Sequence, residues 1–152
     1  MKKASTSNIK IIASNRKAHF NYFLSDFTEC GIVLVGTEIK SLRTHSCSIK
    51  DAYVLVRNGE IEIVNMHINP YEHGNIFNHD PLRTRKLLLH KKEISWFFNQ
   101  LKKGGYTIVP TRVYFRNGRA KVEIALAKGK KLYDKREAIK QRDLKRDMRE
   151  SD

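Results

Sequence analysis

Three histidines, His67, His73 and His79, recur at intervals of six residues, a regularity that invites a metal-binding reading. Zinc sites, however, bring their ligands as close pairs such as HxxxH, or together with cysteines. Neither pattern accompanies these three, so no metal and no other cofactor is expected. His79-Asp80 echoes the dipeptide of metal-dependent phosphohydrolases. That chemistry needs further His and Asp ligands on helices, whereas Pro81 follows at once and biases the preceding residue toward a loop. Glu29, Glu38 and Glu72 are unpaired carboxylates and read as surface charges rather than general acids. With no P-loop, nucleophile elbow or HExxH helix either, the residues describe a protein that binds rather than catalyses.

The chemistry that remains is cationic and aromatic. Asn15, Arg16, Lys17, His19 and Tyr22 form one cluster, and the run from Asn78 to Lys86, with Arg83, Arg85 and Lys86, forms another. Lys and Arg neutralise phosphates and release counterions, while aromatic and amide side chains stack on or bond exposed bases. The whole chain agrees: 30 Lys plus Arg against 16 Asp plus Glu leave a formal charge of +14 over 152 residues. Such an excess points to a polyanionic partner. A membrane surface would demand a long apolar span or a helix with a bulky apolar face, and the sequence has neither. Ser5, Thr6, Ser7, Asn8 and Lys10 interrupt any apolar leader, so an unprocessed, cytoplasmic chain is expected. Cys30 and Cys47 lack CxxC spacing and read as buried free thiols.

The elements that must position these residues belong to one domain, since 152 residues suffice for a single core. Residues 1–8 are small, polar or basic and read as a flexible arm, with order beginning near Ile9. Tyr22–Leu24 and Ile32–Leu34 look like two strands separated by a polar connection ending at Gly31. Thr37 is placed to cap a short helix carrying Ile39 and Leu42 on one face. Asn58-Gly59 and Asn117-Gly118, each flanked by β-branched residues, predict two hairpins through turns that need positive φ. Ile94, Phe97, Phe98 and Leu101 recur at helical spacing up to Gly104-Gly105, predicting a core-packed helix of about three turns. Pro110 inside the next strand predicts an edge or a bulge. Short strands, regular turns and one main helix suggest a mainly β domain with flanking helices, an antiparallel barrel of the OB type over 9–127.

Residues 128–152 differ in character, with ten Lys or Arg, six Asp or Glu and only scattered apolar residues. Such a tail cannot offset its ordering entropy alone and is expected to be disordered or to become helical on binding. Its ten cations against six carboxylates leave +4 there and +10 on the body, so both parts suit RNA.

Three runs are recognisable: Gly36-Thr37-Glu38-Ile39-Lys40-Ser41-Leu42-Arg43; Phe77-Asn78-His79-Asp80-Pro81 through Arg83-Thr84-Arg85-Lys86-Leu87-Leu88-Leu89; and Lys128-Gly129-Lys130-Lys131-Leu132-Tyr133-Asp134-Lys135-Arg136. Together they resemble the SsrA-binding protein family, also called small protein B or SmpB, over residues 9–146. The resemblance implies an OB-like barrel that binds the tRNA-like domain of transfer-messenger RNA. It also implies delivery of that RNA, indirectly with elongation factor Tu and GTP, to stalled ribosomes for trans-translation. Positions matching Glu29, Leu88 and His90 are tied to RNA binding in the family, Leu88 as an apolar platform for unstacked bases. The tail, through Gly129, Lys130, Lys131, Tyr133, Asp134, Lys135 and Arg136, would read the small-subunit decoding centre and lie along the empty message channel. Tyr133 suits stacking on a ribosomal base. His19 and Phe20 stand where the family pattern has Arg and then His. The expected protein is a monomer that makes and breaks no bonds.

Overall fold

The computed structural model describes residues 8–74 and 78–130. The expected flexible arm and most of the tail, Lys131 to Arg136 included, lie outside the described residues, as does Phe77. Asn8, assigned above to the arm, already accepts a backbone hydrogen bond from Asn117 at 3.3 Å.

The chain order is β1 (Ile9–Ser14), α1 (Arg16–Asn21), β2 (Tyr22–Ile32), α2 (Gly36–Arg43), β3 (Cys47–Ser48), β4 (Tyr53–Arg57), β5 (Glu60–Val64), β6 (His67–Ile68), β7 (Arg85–Leu88), α3 (Lys91–Lys102), β8 (Tyr106–Arg116) and β9 (Arg119–Gly129). Strands β8, β4, β5, β7, β2 and β9 pair in that order, and β9 returns to β8, so the antiparallel sheet closes on itself in a ring. β1 pairs with the C-terminal half of β8, on the side where β4 meets its N-terminal half, and β3 pairs only with β6. The mainly β fold with flanking helices is therefore as expected.

Both Asn-Gly hairpins form. Asn58 and Gly59 have φ of 53° and 74°, and Asn117 and Gly118 have 50° and 77°, the left-handed values that such turns demand. Ile61, Ile63, Leu87, Ile108, Val113, Val122 and Ile124 point into the ring and are almost wholly buried. α3 covers one mouth through Phe97, which is buried, with Ile94 and Leu101 packed beside it. Phe98, expected in the core, is instead 41% exposed. A helix on a ring buries a narrow stripe, and Phe98 lies one residue around from it.

Two other expectations are corrected. Tyr22 to Ile32 is one strand, not two: a register shift between Ser25 and Thr28, with Asp26 at φ 55°, absorbs the polar stretch as a bulge. Thr37 does not cap α2; Val35 precedes the helix, and its N–H is bonded by the Glu38 carboxylate at 2.9 Å. Of the two positions expected for Pro110, the bulge is the one observed: it lies between Pro110 and Arg112, where β8 exchanges β1 for β4 along one side.

Glu38 is also not a surface charge. It is fully buried and bridges Arg83, at 2.6 Å, and the equally buried Arg85. Burial alone would raise its carboxyl, but hydrogen bonds from Arg83, the Val35 N–H and Arg85 outweigh that and hold it below the ordinary value. Arg85 continues to the carbonyls of Met66 and Pro81, so one guanidinium ties α2 to β7 and to the segments on either side of β6.

Candidate nucleic-acid interface

Alternation along β7 turns Arg85 and Leu87 inward and Lys86 and Leu88 outward. Arg85, grouped above with the RNA-facing cations, is thus a core residue with no access to a partner. Arg83 is half-buried and committed to Glu38 and the Val33 carbonyl. Lys86 is exposed and lies 3.2 Å from Glu60.

Leu88 pairs with Gly31 of β2, and Gly31 pairs on its other side with Lys121 of β9. Leu88 is 52% exposed although apolar, and its side chain lies across the Gly31 backbone. A Cβ at position 31 would stand 3.2 Å from that of Leu88, so glycine here makes room for the leucine. Val33, Leu34 and Ile39 continue the apolar surface, while Arg119 and Lys121 line its far side. The result is a shallow groove with an apolar floor and a cationic rim, a form suited to unstacked bases and their phosphates.

Glu29, two residues before Gly31, is exposed on the same strand. Its Oε1 accepts from the Tyr114 hydroxyl at 2.6 Å and lies 3.1 Å from Arg116. Tyr114 is buried between the guanidinium groups of Arg112 and Arg116, whose centres lie 5.0 and 5.7 Å from its ring. Burial and the Glu29 hydrogen bond push the Tyr114 phenol above its usual range, so it stays a donor. Glu29 therefore fixes a cation beside the groove. His90 is exposed at the start of α3, two residues beyond Leu88.

The first cluster lies elsewhere. Asn15 is buried: its side chain accepts from the Ala18 N–H at 3.1 Å and donates to the Pro110 and Ile49 carbonyls at 3.0 and 3.4 Å. It positions α1 and does not face a partner, correcting its place among RNA-facing residues. Arg16, Lys17 and His19 are exposed and Tyr22 half-buried. At the end of this helix, Gly129 pairs with Tyr22, the Lys130 N–H donates to Asn21, and the Lys130 ammonium sits 5.2 Å from the Phe23 ring. The tail thus leaves the body against α1, while the groove sits at the far end of β2. Nine steps along the strand lead from Tyr22 to Gly31, at most about 30 Å. The cluster around α1 and the positions Glu29, Leu88 and His90 are two faces, not one.

The histidine series does not converge. His79 is buried, with Nδ1 2.9 Å from the Thr37 hydroxyl and Nε2 2.9 Å from the Ile68 carbonyl. His73 packs edge-on against Tyr71. Among the described residues no three His, Cys, Asp or Glu side chains could jointly hold a metal ion. Cys30 and Cys47 are free thiols, each pushed up to about 12 by burial. Among the described residues no helix is long and apolar enough to cross a membrane.

Sequence reasoning missed Gly31, Val33, Arg116, Arg119 and Lys121. Only Gly31 carried a local signal, as a glycine adjoining β-branched residues; the cations are recruited from a hairpin read for its turn alone.

Comparison with known proteins fits this geometry. The family model described as SmpB protein matches residues 12–151. The SsrA-binding protein of Fervidobacterium nodosum is 57% identical over 143 residues, covering 93% of this chain and 96% of its own. That of Enterococcus hirae is 58% identical over 139 residues, 91% of this chain and 90% of the relative. A solved chain described under "tmRNA-SmpB: a journey to the center of the bacterial ribosome" superposes with a TM-score of 0.68 at 41% identity, covering 83% of this chain and 92% of that one. The family model and these relatives match the chain along nearly its whole length, and the chain therefore belongs to the SmpB family of SsrA-binding proteins.

Proposed function

We propose that the protein binds transfer-messenger RNA and brings it to stalled ribosomes for trans-translation. The observation that carries this reading is Leu88 lying exposed across Gly31, with Glu29 holding Arg116 nearby and Lys121 alongside. An unstacked base of the tRNA-like domain lies on Leu88, and Arg119 and Lys121 meet its phosphates. His90 and Lys86 extend the contact, and Glu29 orients Arg116 while its other oxygen accepts from a base edge. The opposite face, with Arg16, Lys17, His19 and Tyr22, stands beside the root of the tail. We assign Gly129, Lys130, Lys131, Tyr133, Asp134, Lys135 and Arg136 to the small-subunit decoding centre. Elongation factor Tu with GTP joins through the RNA, and the protein acts in the cytoplasm as a monomer, without bond chemistry of its own.

The test is affinity for transfer-messenger RNA beside elongator tRNA and an unstructured RNA of equal length, across a range of salt. A preference for transfer-messenger RNA that survives moderate salt is expected. Equal, steeply salt-dependent binding to all three would reduce the protein to a general RNA-binding module.

A further inference from the structure

Four exposed aromatic side chains belong to β2 and α3: Phe23, Phe27, Trp96 and Phe98. Two of them carry a cation of the chain's own, with the Lys130 ammonium 5.2 Å from the Phe23 ring and that of Lys102 4.6 Å from Phe98. Phe27 and Trp96, 50% and 39% exposed, have no such cover among the described residues. Both line one open concavity of about 260 Å³ between β2 and α3, together with Asp26, Thr28, Glu93 and Phe97.

Its electrostatics run against the rest of the molecule. On a chain of formal charge +14, this lining holds two carboxylates and no Lys or Arg. Neither Asp26 nor Glu93 is ion-paired with a described residue. The β2 bulge creates the site, because the pairing with β9 skips Asp26 and Phe27 and leaves both exposed. β7 meets β2 only at Gly31 and Ile32, so α3 rather than a strand stands beside this length of β2. Trp96 is braced edge-on against the buried Phe97, with ring centroids 5.1 Å apart, so the aromatic wall is set before anything docks.

We infer that this concavity docks a Lys- and Arg-rich segment of a ribosomal protein, with a guanidinium over Trp96 and between the carboxylates of Asp26 and Glu93. The aliphatic stem of the arginine packs on Phe27. Carboxylates beside the rings repel phosphate, which disfavours RNA here, and a second copy of the chain would bring a further +14. The chain's own tail is also basic, but the proposed function commits it to the decoding centre. Phe27 lies four residues along β2 from Gly31, about 13 Å of strand, so RNA in the Leu88 groove and a protein segment fit side by side. The inference rests on the ribosome-directed reading above.

The test uses the full chain bound to transfer-messenger RNA, on purified stalled ribosomes. Phe27→p-benzoylphenylalanine is photo-crosslinked and the product mapped by mass spectrometry; a Lys- and Arg-rich segment of a ribosomal protein is expected. Trp96→Ala should lower the affinity of the complex for stalled ribosomes by roughly 2- to 30-fold, the range of one cation–π contact. Asp26→Asn, which tolerates the positive φ, should lower it in the same direction, and Trp96→Phe should restore most of the loss. Affinity for transfer-messenger RNA alone should be unchanged in all three. A crosslink to RNA, to the chain's own tail or to a second copy, or no protein crosslink, overturns the site. So does wild-type ribosome affinity in both Trp96→Ala and Asp26→Asn, or a loss that is already present with transfer-messenger RNA alone. Failure of the ribosome-directed reading itself would appear in the wild-type complex, before any variant is made.

Discussion

Replacing Glu38 by Gln should destabilise the protein more than any surface change while leaving the RNA groove chemically intact. The carboxylate is fully buried and neutralises Arg85, which is itself fully buried and has no other anion within reach among the described residues. Removing one partner of such a pair leaves an uncompensated internal charge, at a cost of about 3–5 kcal/mol. For a domain of this size that corresponds to a fall in Tm of about 12–20 °C. The same substitution should remove a pH dependence. Because the folded carboxyl lies below its ordinary value of 4.5, its contribution is complete above that pH and disappears as the pH falls through the lowered folded value. Urea unfolding between neutral and acid pH should therefore show wild-type stability falling below about pH 4.5, with a flatter curve for the variant. Transfer-messenger RNA affinity, measured well below the variant's Tm, should stay within about threefold, since Glu38 reaches no surface. A loss of stability under about 1 kcal/mol would refute the reasoning, because it would mean that water solvates the pair.

Leu88→Ala should leave stability within about 0.5 kcal/mol, as the side chain is half exposed, yet weaken transfer-messenger RNA binding by about tenfold or more in a fluorescence titration. Gly31→Val should weaken the same binding by displacing Leu88, with unfolding curves separating that effect from misfolding. Truncation after Lys130, which preserves all of β9, should spare RNA binding and abolish tagging on stalled ribosomes; equal loss of both would contradict a two-part protein. Asn15→Ala should cost about 1–2 kcal/mol through the lost cap, with chemical denaturation as the check.

Local chemistry made the hairpins, the α3 span and the free thiols legible, because left-handed Asn-Gly turns, helical spacing and isolated cysteines act over a few residues. The continuity of β2 was not, since a bulge at Asp26 lets a polar stretch stay in a strand that composition would break. The identities of Arg85 and Glu38 concealed their burial: each looks like a surface charge until the other is brought to it from 47 positions away. The groove was half legible. Leu88 and Glu29 came through family resemblance, whereas Arg116, Arg119 and Lys121 enter only when ring closure sets β9 against β2.

That closure also orders events in time. β2 ends at Ile32, and its neighbour β9 begins only at Arg119, so the last seam joins segments from opposite ends of the described chain. Both hairpins can assemble locally within microseconds of their synthesis, but the seam must await the emergence of β9 from the ribosome that makes it. A nascent chain cut short before Arg119 would retain hairpin β4–β5 and α3 yet expose the unpaired length of β2, the kind of strand edge that drives aggregation. Translation through the end of β9 is thus a structural requirement for the body of this protein, because the strand that completes its RNA-facing surface is nearly the last part of the body to be made.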